Sequence, residues 1–316
     1  MKITFYGTRG STPVSGPNSV RHGGNTTCLR IESACLPQGH WLVVDAGSGI
    51  VPLSWEFMKA QGKAVTVLQS HFHHDHTQGL MLSVFPYVKQ IPVNVFGPYE
   101  HGIGSRQVYE RLMQSPFFPI DFREIGSHIT CHDIELPNCT VLLIHPEGGI
   151  KKLTLEEFER LVASGRQMPF HGRQKFDVSE CLVVRMHRSH HPEQTISYRF
   201  EERPTGKVFA FVTDHENQDG IPMSFRAHLQ GADLLVMDCQ YTDEKYRALT
   251  AGWGHSTPSY VTRVAREVKA ARLGLTHHDP SSSDDMVDGI VASAAKSMEG
   301  TSVEVFGCHD FQVVEV

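Results

Sequence analysis

The chain has 316 residues, 40% of them apolar and 20% charged, and a net charge of −6 at pH 7. These values are ordinary for a soluble globular protein, and the charge falls in no long run of one sign, which argues against tight nonspecific binding to nucleic acid or membrane. No stretch of 18 apolar residues exists, so no membrane span is expected.

In chain order, Met1-Lys2-Ile3-Thr4-Phe5 reads as the start of a strand and not as a signal peptide. Apolar runs of strand length follow at Ile3–Tyr6, Cys28–Ile31, Trp41–Val44, Val65–Leu68, Val93–Phe96, Val141–Ile144 and Leu182–Met186. Others lie at Thr195–Phe200, Val208–Val212, Leu234–Met237, Leu273–Leu275 and Phe311–Val314. Helical patterns occupy Thr154–Ser164, Thr257–Ala270 and Ser283–Met298. Thr257 is the expected N-cap of the second, with Pro258 at its first helical position. Asp284 and Asp285 fall in the first turn of the third. Strands in both halves with helices between them predict an α/β chain of two packed sheets with helices outside. The stretch 146–180 breaks the strand rhythm, with Gly165, Pro169 and Gly172 after its helix, and reads as a lid insertion within one domain spanning 1–316. Seven cysteines (Cys28, Cys35, Cys131, Cys139, Cys181, Cys239, Cys308) are scattered, with no C-x-x-C pair. Reduced thiols in a cytoplasmic protein are the expectation.

The densest chemistry is His71-Phe72-His73-His74-Asp75-His76, directly after the run Val65–Leu68. One regular element cannot aim all these side chains at one ion, but a loop can divide them. His71 and His73 share a face, and Asp75 and His76 can turn to a second ion. Imidazole with carboxylate suits zinc, manganese or iron. Two such ions about 3.5–4 Å apart activate a water and clamp both oxygens of a displacement.

H-x-H-x-D-H resembles the signature of the metallo-β-lactamase superfamily. That resemblance implies a four-layer αββα sandwich, and it gives roles to further acids and histidines that follow apolar runs. Asp45, after Leu42-Val43-Val44, would support the metal loop by hydrogen bonding. His191 lies seven residues before Tyr198, which fits a phosphodiesterase-like pattern, although Ser197 stands where glycine is usual. His190 is the alternative there, and His187 reads as structural. Asp214, after Val208–Thr213, corresponds to the bridging aspartate of dinuclear members. His277 in Leu275-Thr276-His277 corresponds to the last ligand. The implied set is His71, His73 and His191 on one divalent ion, Asp75, His76 and His277 on the other, and Asp214 shared. Zinc or manganese are the expected metals, with iron allowed.

Two further motifs resemble the phosphodiesterase branch. Gly7-Thr8-Arg9-Gly10-Ser11-Thr12-Pro13 with His22-Gly23-Gly24-Asn25-Thr26 is similar to the opening of tRNase Z and its relatives. Gly252-Trp253-Gly254-His255-Ser256-Thr257 is similar to the triplet that brings a histidine to the reaction centre. The expected activity is therefore hydrolysis of a small phosphodiester, a cyclic nucleotide or cyclic phosphate, by metal-bound hydroxide. Asp75 would orient the attacking group and His255 would assist the leaving one. Long RNA is disfavoured, because 146–180 carries six Lys/Arg and six Asp/Glu and offers no net positive clamp. A tRNase Z-like RNA endonuclease using the same residues is the first alternative, and a non-hydrolytic di-iron oxygen-binding or redox protein is the second. Ser115–Pro119 could border a base pocket or pack in the core. A homodimer is compatible with the sequence.

Overall fold

In the computed structural model, which describes residues 1–125, 128–136, 140–170 and 174–316, the apolar runs become two large sheets. Cys139 and Gly172 lie outside the described residues. The first sheet takes β1 (Lys2–Gly7), β2 (Cys28–Glu32), β3 (His40–Val44), β4 (Ala64–Leu68), β5 (Val93–Pro98) and β6 (Ile129–Ile134). The second takes β7 (Thr140–His145) and β8 (Gly149–Thr154). After a two-stranded hairpin of β9 (Met168–Pro169) and β10 (Lys175–Phe176), it continues with β11 (Leu182–Arg188) and β12 (Ile196–Glu202). It is completed by β13 (Lys207–Val212), β14 (Leu234–Asp238), β15 (Arg272–Thr276) and β16 (Glu304–Gly307). The last strand, β17 (Val313–Glu315), returns to the first sheet beside β1.

Alternation along the strands explains the layering. Leu42 and Val44 of β3 point inward to Phe209 and Phe211 of β13, in a core fed by both sheets. Their neighbours Trp41 and Val43 point outward, against Ile50, Leu53 and Phe57 of helix Ile50–Lys59. Ala210 and Val212 likewise point out, to Tyr260, Val264 and Ile290 of helices Pro258–Glu267 and Asp284–Ser297. Strands covered on both faces must be apolar at every position, which is why they read as unbroken runs. The result is helix, sheet, sheet, helix.

Each sheet is parallel on one side: β3 to β6 in the first, β13 to β16 in the second. The ends of these strands gather the residues described below, where open α/β sheets bind their ligands. Residues 146–180 contribute β8 at a sheet edge and a helix, Leu155–Ser164, that lays Phe158 over Val141, Leu143 and Val183. That helix has Thr154 as a capping residue paired with Glu157 and ends on Gly165 at φ 59°. Thr257 stands at the N-cap of Pro258–Glu267, but its hydroxyl does not cap the helix. It accepts instead from Nδ2 of Asn217 at 3.1 Å.

Candidate metal centre

The six-residue motif follows β4 as a loop that runs into one turn of helix, His74–Thr77. His71, Asp75 and His76 are buried, while His73 and His74 are exposed. Opposite them, Asp214 follows β13 and His277 follows β15, both with left-handed backbone, φ 42° and 61°. Asp45, after β3, has the same conformation at φ 59°. Non-glycine residues rarely occupy this region, and it turns each side chain sharply off the strand end into the gap between the sheets.

The candidate donors fall into two groups, and a third, Asp214, His255 and His277, overlaps both. His71, His73, His191 and Asp214 each bring one ligand atom within 4.8 Å of the others, and so do Asp75, His76 and His277. Asp214 lies between them. Its Oδ2 is 3.6 Å from Nε2 of His71, and its Oδ1 is 3.2 Å from Nε2 of both His76 and His277. Oδ2 of Asp75 is 3.1 Å from Nε2 of His277 and 3.3 Å from Nε2 of His76. Of the three candidate histidines in and just after β11, His191 is the one in the group. His190 is exposed, and the ring of His187 packs toward Phe225 and His228. The neighbours His215 and His278 bond away from the donors, to the Tyr260 hydroxyl and the Cys308 carbonyl.

Hydrogen bonds fix which nitrogen each ring presents. Nδ1 of His76 donates to Oδ2 of Asp45 at 2.9 Å, and Nδ1 of His191 to the Gly254 carbonyl at 3.0 Å. Nδ1 of His277 donates to Oε1 of Gln240 at 3.1 Å, and Nδ1 of His71 to the Ser70 hydroxyl at 3.1 Å. Ser70 in turn donates to Asp45 at 2.8 Å. All four rings therefore turn Nε2 inward, as outer partners of metal-bound histidines do.

Divalent ions fit this arrangement. Nε2 of His71 and Nε2 of His191 are buried with no hydrogen-bond partner, which is costly unless something accepts their lone pairs. The electrostatics agree. Burial keeps the His71 ring neutral, well below its ordinary range. Burial also opposes charge on His76, but Asp75, Asp214 and Asp45 outweigh it and drive that ring well above its ordinary value. Burial likewise opposes ionisation of Asp75, yet the His76 and His277 rings hold its carboxyl well below the usual range. Three buried carboxylates make a negative field that a cation would neutralise.

A cleft of about 390 Å³ opens over the donors, with Ser11, Phe72 and His255 on its walls. The backbone N–H of Ser11 donates to Oδ2 of Asp75 at 2.7 Å. His255 lies 5.0 Å from His277, ring centre to ring centre, and its Nδ1 is 2.9 Å from Oδ2 of Asp238. Burial works against the charged ring, but Asp238 outweighs it and the pKa rises to about 9. No described residue of 146–180 or 115–119 lines the cleft; Phe118 packs on the outer core and Phe117 is 81% exposed.

Three residues escaped the sequence. Asp238 ends a buried strand on an acid, much as Asp45 and Asp214 follow theirs, and that pattern is its signal in the sequence. Gln240 carries no signal at all. Glu216 sits two residues after Asp214 and binds Gly252 N–H at 3.2 Å, Gly254 N–H and the Tyr246 hydroxyl, so it holds the loop that carries His255.

Residues 40–278 match the model of the beta-lactamase superfamily domain. The chain belongs to the metallo-β-lactamase superfamily. As a superfamily member it is an enzyme, and its two-sheet architecture agrees with solved relatives. It is similar to the metallo-beta-lactamase fold protein YhfI of Bacillus subtilis, with TM-score 0.62 and 18% identity, covering 100% of this chain and 99% of that one. It is similar to human tRNase Z, short form, with TM-score 0.59, 19% identity and the same coverage. Among curated proteins it is 24% identical to a Ribonuclease Z of Methanosarcina acetivorans over 96% of this chain and 95% of that one.

Proposed function

We propose that this superfamily member is a dinuclear metallo-phosphodiesterase that cleaves a small diester. The observation that carries the reading is the pairing of two donor groups through Asp214 at the floor of an open cleft walled by His255. His71, His73 and His191 would hold one divalent ion, Asp75, His76 and His277 the other, and Asp214 both; zinc or manganese suits these donors. Bound there, such ions acidify a water and polarise phosphoryl oxygens.

The chain's own residues do the rest. Asp45 and Ser70 lock the rings of His76 and His71. Asp75, steadied by the Ser11 N–H, faces the cleft and orients the attacking water. Water's oxygen bonds to phosphorus, one P–O ester bond breaks, and the departing oxygen takes a proton. His255 supplies it from Nε2, while Asp238 on Nδ1 fixes the ring and balances its charge. A linear diester gives a phosphomonoester and an alcohol; a cyclic one gives a single phosphomonoester that carries the freed hydroxyl.

The similarity to ribonuclease Z proteins favours a second reading, an RNA endonuclease on the same centre. Net charge and the balanced 146–180 segment support the small substrate. The test is a comparison on metal-loaded protein. A small cyclic or linear diester should show higher kcat/KM than precursor tRNA, and tRNA binding should be weak at physiological salt. Tight, salt-sensitive tRNA binding with cleavage at a defined 3′ junction overturns the first reading in favour of the second.

A further inference from the structure

A second cavity, of about 290 Å³, adjoins the centre and shares His71 and His73 with it. An alcohol seated there would be bonded to a phosphorus over the donors. Its apolar walls include Phe72, Pro98 and Ile103; its polar walls, besides the two shared histidines, are Glu100, His101, Glu193 and Gln194, with Nε2 of the exposed His101 3.9 Å from Oε1 of Glu100.

The polar side is built and not incidental. Glu100 and Ile103 exchange backbone hydrogen bonds of 3.1 and 2.9 Å around His101 and Gly102, whose φ angles are 51° and 78°. This tight turn is tied to the loop that carries His191, because the backbone N–H of Gln194 donates to Oε2 of Glu100 at 3.2 Å. Gln194 is only 7% exposed, and its Nε2 is buried with no hydrogen-bond partner. The cavity therefore presents carboxylate acceptors and one unspent amide donor beside apolar walls.

That chemistry selects. Two carboxylates next to a phosphodiester repel any further phosphate on the same arm. They accept hydrogen bonds from hydroxyls, as an acidic residue does on the ribose of a bound dinucleotide. An uncharged ring would lie on Phe72, Pro98 and Ile103. We propose that this cavity receives a nucleoside: its sugar hydroxyls on Glu100 and Glu193, its base on the apolar walls. This inference rests on the diesterase reading and names the arm of the substrate that the cleft recognises.

The test uses metal-loaded full-length protein and two chromogenic diesters, the p-nitrophenyl ester of uridine 5′-phosphate and bis(p-nitrophenyl) phosphate. The wild type should prefer the nucleoside ester. In the double variant Glu100→Gln, Glu193→Gln the ratio of the two kcat/KM values should fall about tenfold, mostly through KM, as hydrogen bonds to charged acceptors are lost. A ratio that stays at the wild-type value overturns the inference and leaves the diesterase reading intact. Cleavage of neither ester removes the diesterase reading. The cavity is then judged by calorimetric binding of uridine 5′-monophosphate, expected about tenfold weaker in the variant; equal binding rejects it.

Discussion

The carbonyl oxygen of Gly254 lies 3.0 Å from Nδ1 of His191. The loop that presents His255 thus also orients the ring of His191, one of the candidate donors. Side-chain volume is excluded at that contact: a Cβ on Gly254 would come 2.1 Å from Nδ1 of His191, and φ is +92°. Gly254→Ala should therefore displace the His191 ring. The expected result is less metal per chain by elemental analysis, with unchanged far-UV circular dichroism. Full metal content in this variant would show that His191 does not depend on the loop.

Asp214 faces both donor groups and His73 only one. Asp214→Ala should deplete both ions after dialysis, and His73→Ala should lower metal content less. Hydrolysis should disappear with metal in each. Elemental analysis with full occupancy in both variants rules out the donor assignment.

His255 bonds to Asp238 and stands over His277 on the cleft wall. His255→Ala should keep both ions and lose about 10²–10⁴-fold in turnover on a diester with a poor leaving group. On a nitrophenyl ester the loss should be smaller, because that leaving oxygen needs little protonation. Equal losses on the two substrates would assign His255 to positioning and not to proton transfer.

His40 gives a pH dependence remote from the donors. Burial lowers its pKa to about 4, and its Nε2 meets the Thr66 hydroxyl at 2.9 Å. The unfolded ring titrates near 6.5, so the unfolded chain takes up the proton first. Stability present above pH ~6.5 is then lost as pH falls toward ~4, on the order of 1–3 kcal/mol. Urea midpoints measured across this window should fall less steeply for His40→Gln than for the wild type. Parallel slopes would remove His40 from the acid response.

What the sequence made legible follows from coverage. Interior strands such as β3 and β13 are apolar on both faces and stood out. The strands that did not are at sheet edges. β6 carries His132 and Asp133, β8 is Gly-Ile-Lys-Lys-Leu-Thr, and β16 exposes Glu304; each is an edge strand. Edges are half solvated and protected by charge, so they lack an apolar run. The predicted strand at Phe311–Val314 began too early, because Phe311 turns at φ 63° before β17. In the centre, the 71–76 motif was readable because its chemistry is contiguous. Gln240 and Glu216 act only through contacts made by folding, with His277 and with Gly252 and Gly254.

His76 and His277 place their Nε2 atoms 3.3 Å apart although 201 residues separate them. One hangs from the first sheet and the other from the second. During synthesis the His71–His76 segment leaves the ribosome long before β15 exists, and by itself it offers only part of each donor group. An ion that needs both halves can bind tightly only after the sheets have closed on each other. A metal held by both groups would therefore bind to the completed fold, and its binding energy would act as a clasp across the sandwich seam.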